Sequence, residues 1–323
     1  MASGTAARRL RFPPQHDGTL YLAEGGQETE VMYRHGHELP EFAMFALLDD
    51  PAARRDIEAM YRSYLDVASE HGFVALMGGL DYRASPDWAD KIGYSAGQLE
   101  DVQLRCIDLL REVARPYAGR VPGVLFAGIV GPRGDAYQLN RTITAQEAEE
   151  YHAVQLASLA KADVDLVEAM TFNNVPEAVG VARAAARVGL PLGILFTLDE
   201  TARLASGASL REAIEAVDAQ TGEDRPDFYG INCSHPLEFL PALEPGDWTH
   251  RIRAVRPNAA LMDKVSLCRI GHLEEGDPRE LGLLLATLAR RFPHIDIWGG
   301  CCGTWDTHLS EIAREVRAAR GTP

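Results

Sequence analysis

The alternation of short apolar runs with longer helical stretches constrains the fold of this chain more than any other feature. Apolar runs bounded by Gly, Pro or Asn predict strands, and the Ala-, Arg- and Glu-rich stretches between them predict helices. The eight predicted strands are residues 19–26, 73–80, 123–131, 164–172, 190–198, 228–233, 259–266 and 294–300. Eight such units within 323 residues predict an α/β fold, a single (β/α)8 barrel.

The clearest of the predicted helices are residues 145–162, 177–188 and 279–291. Thr144 and Glu147 have the spacing of a capping box at the start of the first one. A doubly wound open sheet is the main alternative fold, but no GxGxxG turn follows the first strand. We expect residues 1–18 to form a short, mobile N-terminal extension and residues 19–320 to form the barrel.

Composition and charge narrow the class of function. Hydrophobic residues make up 46% of the chain and charged residues 24%, which is typical of a soluble globular protein with a large core. The net charge of −15 disfavours nucleic acid as a partner. No apolar run approaches ~20 residues, so we expect no membrane span. Five cysteines without a secretory signal predict a cytoplasmic protein, whose cysteines are metal ligands, nucleophiles or core residues rather than disulfides.

Three cysteines fall where a barrel places its active site, at the carboxyl ends of strands. Cys233 ends the predicted sixth strand, and Cys301 and Cys302 follow the eighth. One strand lies between the sixth and the eighth. Because neighbouring strands are ~4.8 Å apart, the ends of these two strands lie within ~10 Å of each other. Gly299 and Gly300 permit the sharp turn that lets both adjacent cysteines point inward. The three thiolates can therefore converge.

Three thiolates with a fourth position left open are typical of a catalytic zinc site. The competing interpretations are small apolar residues packed at the rim and a strained disulfide between Cys301 and Cys302. For Cys106, inside a helical stretch, core packing is the better interpretation. Cys268, after the predicted seventh strand, could approach the metal. His235 could contact substrate, although a loop histidine with satisfied hydrogen bonds is the better interpretation.

Asn232-Cys233, followed at the last strand by GGCCGT (residues 299–304), resembles the homocysteine S-methyltransferases, and the resemblance runs from Glu24 to about Arg317. Glu24-Gly25-Gly26 resembles the DGG that ends the first strand of that family. Residues 82–85 (YRAS) resemble its YQAS-like loop, and residues 128–132 (GIVGP) resemble its GSIGP-like third strand.

The resemblance implies a zinc-dependent enzyme that moves a methyl group from an onium donor, S-methylmethionine or S-adenosylmethionine, to a thiol. The acceptor it implies is homocysteine, giving methionine, so both partners are small molecules; the oligomeric state stays open. Zinc is the implied cofactor, held by Cys233, Cys301 and Cys302. The residues expected to bind substrate are Glu24, Gly25, Gly26, Glu168 and Asn232.

Two positions depart from the family pattern. Glu24 replaces the aspartate before the paired glycines, and Met170 replaces the fourth-strand glutamate that helps hold the substrate ammonium. Glu168 lies two residues before Met170, so on a strand it projects to the same face. Either Glu168 supplies the missing carboxylate from one layer deeper, or it is buried against a neighbouring Arg or Lys.

Two other functions fit the same cysteines. One is a zinc lyase or hydrolase that uses activated water, although three thiolates make zinc electron-rich and better suited to a thiol. The other is a zinc- or thiol-binding protein without turnover. The chain has no segment that resembles a folate or cobalamin domain and no early glycine-rich adenosylmethionine motif, which favours a small onium donor.

Overall fold

Eight parallel strands close into a barrel in chain order in the computed structural model, which describes residues 10–15, 18–262 and 271–321. Each strand pairs with its neighbours in the sequence, and the last pairs with the first. The strands are β1 Tyr21–Ala23, β2 Val74–Gly78, β3 Val124–Val130, β4 Leu166–Phe172, β5 Leu192–Phe196, β6 Phe228–Asn232, β7 Ile252–Arg256 and β8 Ile297–Trp298. The predicted (β/α)8 barrel is confirmed.

Helices surround the barrel. They are α1 Gln27–Tyr33, α2 Pro51–His71, α3 Pro86–Lys91, α4 Ala96–Ala114, α5 Ala145–Lys161, α6 Val175–Val188, α7 Leu210–Thr221, α8 Pro236–Phe239, α9 Pro278–Arg291 and α10 Asp306–Arg320. The predicted capping box opens α5: the Thr144 hydroxyl accepts from the Glu147 backbone N–H, and the Glu147 carboxylate accepts from the Thr144 N–H. In the described residues, no helix has the length and apolarity that a membrane span requires.

The predicted position of the seventh strand is wrong. Residues 259–262 are irregular, and the rest of the predicted 259–266 lies outside the described residues. The strand is β7, which pairs with β6 and β8. Its sequence, IRAVR, suggests surface because two of its five residues are arginines. Both are in fact buried, where Arg253 pairs with Asp296 and Arg256 with Glu24.

Alternate residues of the strands fill the barrel interior. Its inner cluster includes Leu166 and Met170 of β4 and Ala254 of β7. Because side chains alternate along a strand, Glu168 shares the face of Leu166 and Met170, and Arg256 shares the face of Ala254. Glu168 and Met170 therefore project to the same side, as predicted, and a buried arginine faces them across the barrel.

Part of the predicted N-terminal extension is packed. The Phe12 ring is 5% exposed and lies against Tyr21 and Phe228, which begin two of the strands. The Phe12 N–H donates to Asp227 at 3.2 Å, and the Arg253 guanidinium donates to the Pro13 carbonyl at 2.7 Å. Phe12 thus closes the amino-terminal end of the barrel, whereas the other residues of 10–15 are exposed. The boundary at residue 19 stays a prediction.

Candidate metal centre and substrate pocket

The three predicted zinc ligands converge at the carboxyl end of the barrel. Cys233 follows β6, and Cys301 and Cys302 follow β8. Their sulfur atoms all lie within 4.8 Å of one another. The Cys233 and Cys301 sulfurs are bonded to each other at 2.08 Å, and Cys302 is not part of this disulfide. The expectation that no cysteine forms a disulfide is therefore wrong for this pair, because convergence brings two thiols of different strands within bonding reach.

The backbone after β7 holds both cysteine loops in place. The Cys301 N–H donates to the Pro257 carbonyl at 2.8 Å, and the Ala259 N–H donates to the Cys302 carbonyl at 3.0 Å. The Asn258 side-chain amide donates to the Cys233 carbonyl at 3.1 Å. One short segment between the two cysteine-bearing strands thereby holds the main chain of all three cysteines.

Two residues at strand ends adopt left-handed backbone conformations that disfavour a side chain. Cys233 has φ of 52° and Thr171, on β4, has φ of 60°. Asn232 stabilises this arrangement, because its side-chain oxygen accepts from the Thr171 N–H at 2.9 Å while its amide nitrogen lies 4.0 Å from the Cys301 sulfur. Non-glycine residues in such conformations concentrate at functional sites.

Gly25 and Gly26 allow the β1–α1 turn to approach the Cys301–Cys302 loop. A Cβ at Gly25 would lie 2.7 Å from the Thr304 carbonyl oxygen, and one at Gly26 would lie 2.3 Å from the Cys301 carbonyl oxygen. The Gly26 N–H also donates to the Thr304 carbonyl at 2.8 Å. These glycines therefore set how closely the two loops pack.

A cavity of about 300 Å³ opens beside the three cysteines. Of the residues predicted to bind substrate, Glu24, Gly25, Gly26 and Asn232 line it. Glu168 is fully buried and lies below the lining, with Met170 above it at the cavity surface. The structure thus brings these predicted residues together at one end of the barrel, and direct contact of each with substrate stays a prediction.

Arg256 forms the floor of the cavity with two carboxylates. Its guanidinium lies 2.6 Å from Glu24 and 2.8 Å from Glu168, and it donates to the Met170 sulfur at 3.5 Å. The second Glu24 oxygen accepts from the Gly78 N–H at 3.0 Å. Burial raises the pKa of Glu168 to about 7, opposed by the charge of Arg256. The floor is therefore a buried, internally compensated ion cluster.

The sequence interpretation missed Arg256 because it placed the seventh strand too late. The signal was available: an arginine directly after an apolar pair, at the end of a run long enough for a strand. For Glu168 the sequence left two alternatives, and the second, an acid buried beside an arginine, matches the observed contact with Arg256. Arg83, Glu28 and Thr171 also line the cavity and had no predicted role.

Two of the remaining candidate residues, Cys106 and His235, have surroundings that indicate a structural role. Cys106 is fully buried in α4, as predicted. His235 precedes α8, where its ring accepts from the Leu237 N–H at 3.4 Å, so its hydrogen bonding is that of a helix cap. Cys268 lies outside the described residues.

Comparisons with known proteins identify the family of this chain. The family model described as homocysteine S-methyltransferase matches residues 21–316. Homocysteine S-methyltransferase 4 of Zea mays is 26% identical over 345 residues, which cover 97% of this chain and 94% of that protein. The methionine synthase of Mycobacterium tuberculosis is 26% identical over 272 residues, which cover 80% of this chain and 21% of that protein.

Solved structures share the fold. The oxidized form of the homocysteine methyltransferase MmuM from Escherichia coli has a TM-score of 0.71 at 22% identity, covering 91% of this chain and 94% of that one. Its metallated form has a TM-score of 0.69 at 20% identity, covering 92% and 96%. With the family model matched along nearly the whole barrel, this chain belongs to the homocysteine S-methyltransferase family and is a methyltransferase.

Proposed function

We propose that Cys233, Cys301 and Cys302 hold a zinc ion and that the enzyme transfers a methyl group from a small onium donor to the thiol of homocysteine, giving methionine. The observation that carries this proposal is the convergence of three cysteine sulfurs within 4.8 Å beside a cavity. Membership of the family favours methyl transfer over the lyase, hydrolase and non-catalytic alternatives.

The three sulfurs fit zinc by chemistry and spacing. Thiolate sulfur is a preferred zinc ligand, and three cysteine sulfurs within 4.8 Å of one another are close enough to share one ion. The Cys233–Cys301 disulfide must be reduced before both sulfurs can act as ligands. This need for three reduced thiols supports the cytoplasmic location predicted from the sequence.

Held by Cys233, Cys301 and Cys302, zinc would supply Lewis acidity that keeps the acceptor thiol ionised at neutral pH. The cavity walls align acceptor and donor so that the bond from the acceptor sulfur to the methyl carbon forms as the donor's onium–methyl bond breaks. The thiol proton leaves on binding, and the donor departs with one positive charge fewer.

The charge and size of the cavity support a small onium donor. Glu24, Glu28 and Asp135 line it against Arg83 and Arg256, so the acids outnumber the arginines before the cysteines are counted. Negative charge of this kind attracts a cation. A volume of about 300 Å³ is at the low end of ligand pockets and has to hold two substrates, which favours S-methylmethionine over the larger S-adenosylmethionine.

Metal analysis and product identification test this function together. Reduced wild-type protein should bind about one zinc per chain. It should also convert homocysteine and S-methylmethionine to methionine, measured by mass spectrometry. Cys302→Ser, which leaves the other two sulfurs intact, should lose most of the zinc and the activity. Cys106→Ala, in the core of α4, is the matched control and should keep both. Full zinc retention in Cys302→Ser would remove that residue from the ligand set.

A further inference from the structure

In the described residues, the floor of the cavity offers an amino-acid substrate no carboxylate that both reaches the cavity surface and has an unpartnered oxygen. One oxygen of Glu24 contacts Arg256 at 2.6 Å and the other accepts from the Gly78 N–H. Glu168 contacts the same guanidinium at 2.8 Å from below the lining, and the Met170 thioether covers it. A substrate ammonium therefore needs a carboxylate elsewhere in the cavity.

Arg83 is a buried cation of the cavity wall that has no ion pair within residues 10–15, 18–262 and 271–321. Arg83 is only 8% exposed, and its guanidinium lies 3.9 Å from the centre of the Trp88 ring. One nitrogen donates to the Gly134 carbonyl at 2.6 Å. Its Nε has no hydrogen-bond partner in the described part of the chain. Burying an uncompensated charge is costly, which points to an anionic ligand.

Glu28 is the complementary anion of the same wall. It lies in the first turn of α1, is half-buried, and forms no ion pair among residues 10–15, 18–262 and 271–321. Burial raises the pKa of Glu28 and the charge of Glu24 raises it further, whereas Arg256 and Arg83 lower it. A bound cation would compensate this carboxylate.

The geometry points to a clamp for a zwitterion. We propose that Glu28 receives the ammonium group and Arg83 the carboxylate group of the acceptor amino acid, while its thiol lies at the three cysteines; this assignment rests on the proposed function. Both residues line one cavity with Cys302. The third wall carboxylate, Asp135, accepts from the Tyr137 N–H at 2.7 Å and is the alternative ammonium site.

Truncated acceptors separate the two contacts. Calorimetry on the full, zinc-loaded chain would compare homocysteine with 4-mercaptobutyrate, which lacks the ammonium, and 3-mercaptopropylamine, which lacks the carboxylate. Glu28→Gln should weaken homocysteine and 3-mercaptopropylamine by about 10- to 100-fold and leave 4-mercaptobutyrate unchanged. Arg83→Gln should weaken homocysteine and 4-mercaptobutyrate by a similar factor and leave 3-mercaptopropylamine unchanged. Arg83→Lys keeps the charge and should recover part of the lost affinity.

Several outcomes would overturn the clamp. Equal weakening of all three thiols by either variant, with lost zinc or a lower melting temperature, would make that residue structural. A loss that appears in Asp135→Asn instead of Glu28→Gln would move the ammonium site to Asp135. A change confined to the KM of the methyl donor would assign the pair to the donor. If wild-type protein binds zinc but methylates no thiol, the proposed function fails, and this differs from a wild type that is active but insensitive to both substitutions.

Discussion

Two buried carboxylates share one guanidinium, and their surroundings make them unequal. Glu24 accepts a hydrogen bond from a backbone N–H and also pairs with Arg256. One Glu168 oxygen, in contrast, has no partner in the described residues. An unpartnered buried oxygen favours the protonated form. Burial accordingly raises the pKa of Glu168 to about 7, so the cluster holds an extra proton below that pH.

Substituting Glu168 should change how stability depends on pH. Between its ordinary pKa of 4.5 and about 7, folded protein holds a proton that unfolded protein lacks, so this group lowers the free energy of unfolding as pH rises. Glu168→Gln removes that dependence. As pH rises across this window, the free energy of unfolding of the variant should therefore increase relative to that of wild type, by at most about 1.4 kcal/mol per pH unit. Above the window the difference between the two proteins should stay constant.

Urea unfolding of reduced, metal-free protein at about pH 5, 6, 7 and 8 measures this difference. Glu215→Gln, an exposed acid of α7, is the control and should follow wild type at every pH. If the free energies of unfolding of wild type and Glu168→Gln depend on pH in the same way, Glu168 has the same pKa in the folded and unfolded chains.

At the scale of elements, the site depends on the close approach of two turns. The β1–α1 turn and the loop after β8 come from opposite ends of the sequence, yet hydrogen bonds join Gly26 to Thr304 and Gly300 to Glu24. Main-chain atoms make these contacts, so a side chain at Gly26 can be accommodated only by moving backbone. The barrel closure between β1 and β8 is what brings the turns together.

Gly26→Ala should damage the metal centre. The added Cβ would lie 2.3 Å from the Cys301 carbonyl oxygen, so the cysteine loop must shift. We expect the free energy of unfolding to fall by about 1–3 kcal/mol. Zinc content, measured by metal analysis after reduction, should fall with it. Gly97→Ala is the control, because its Cβ in α4 meets no atom within 4 Å and alanine favours a helix. Unchanged zinc content in Gly26→Ala would show that the loop tolerates the shift.

At the scale of the whole molecule, the two ends of the barrel have different tasks. The carboxyl end carries the cysteines and the cavity, and Phe12 closes the other end against Tyr21 and Phe228. The inner cluster of hydrophobic residues lies between them. This separation agrees with the general division of such barrels into a catalytic face and a stabilising face.

Removing the Phe12 ring should lower the stability of the protein without altering the site at the other end of the barrel. Phe12→Ala deletes a buried aromatic ring and should cost about 3–5 kcal/mol in the free energy of unfolding. The KM for homocysteine and the zinc content should match wild type under conditions where both proteins are folded. Leu10→Ala, at a position 64% exposed, is the control and should change stability by less than about 0.5 kcal/mol. A similar small loss for Phe12→Ala would show that the ring contributes little to the core.

The sequence by itself determined the barrel, the capping box of α5 and the position of the three cysteines. Hydrophobic periodicity and cap spacing are local properties that a linear pattern preserves. Chain order determined the convergence of Cys233 with Cys301 and Cys302, because strands that follow one another in such a barrel are neighbours.

Only the tertiary structure decided the environment of those residues. Arg256 suggests a surface position until Glu24, 232 positions away in the sequence, is seen to neutralise it in the interior. The same guanidinium also pairs with Glu168 beneath the cavity. Whether a charged side chain is buried depends on partners that the chain brings together only when the barrel closes, and no local pattern carries that information.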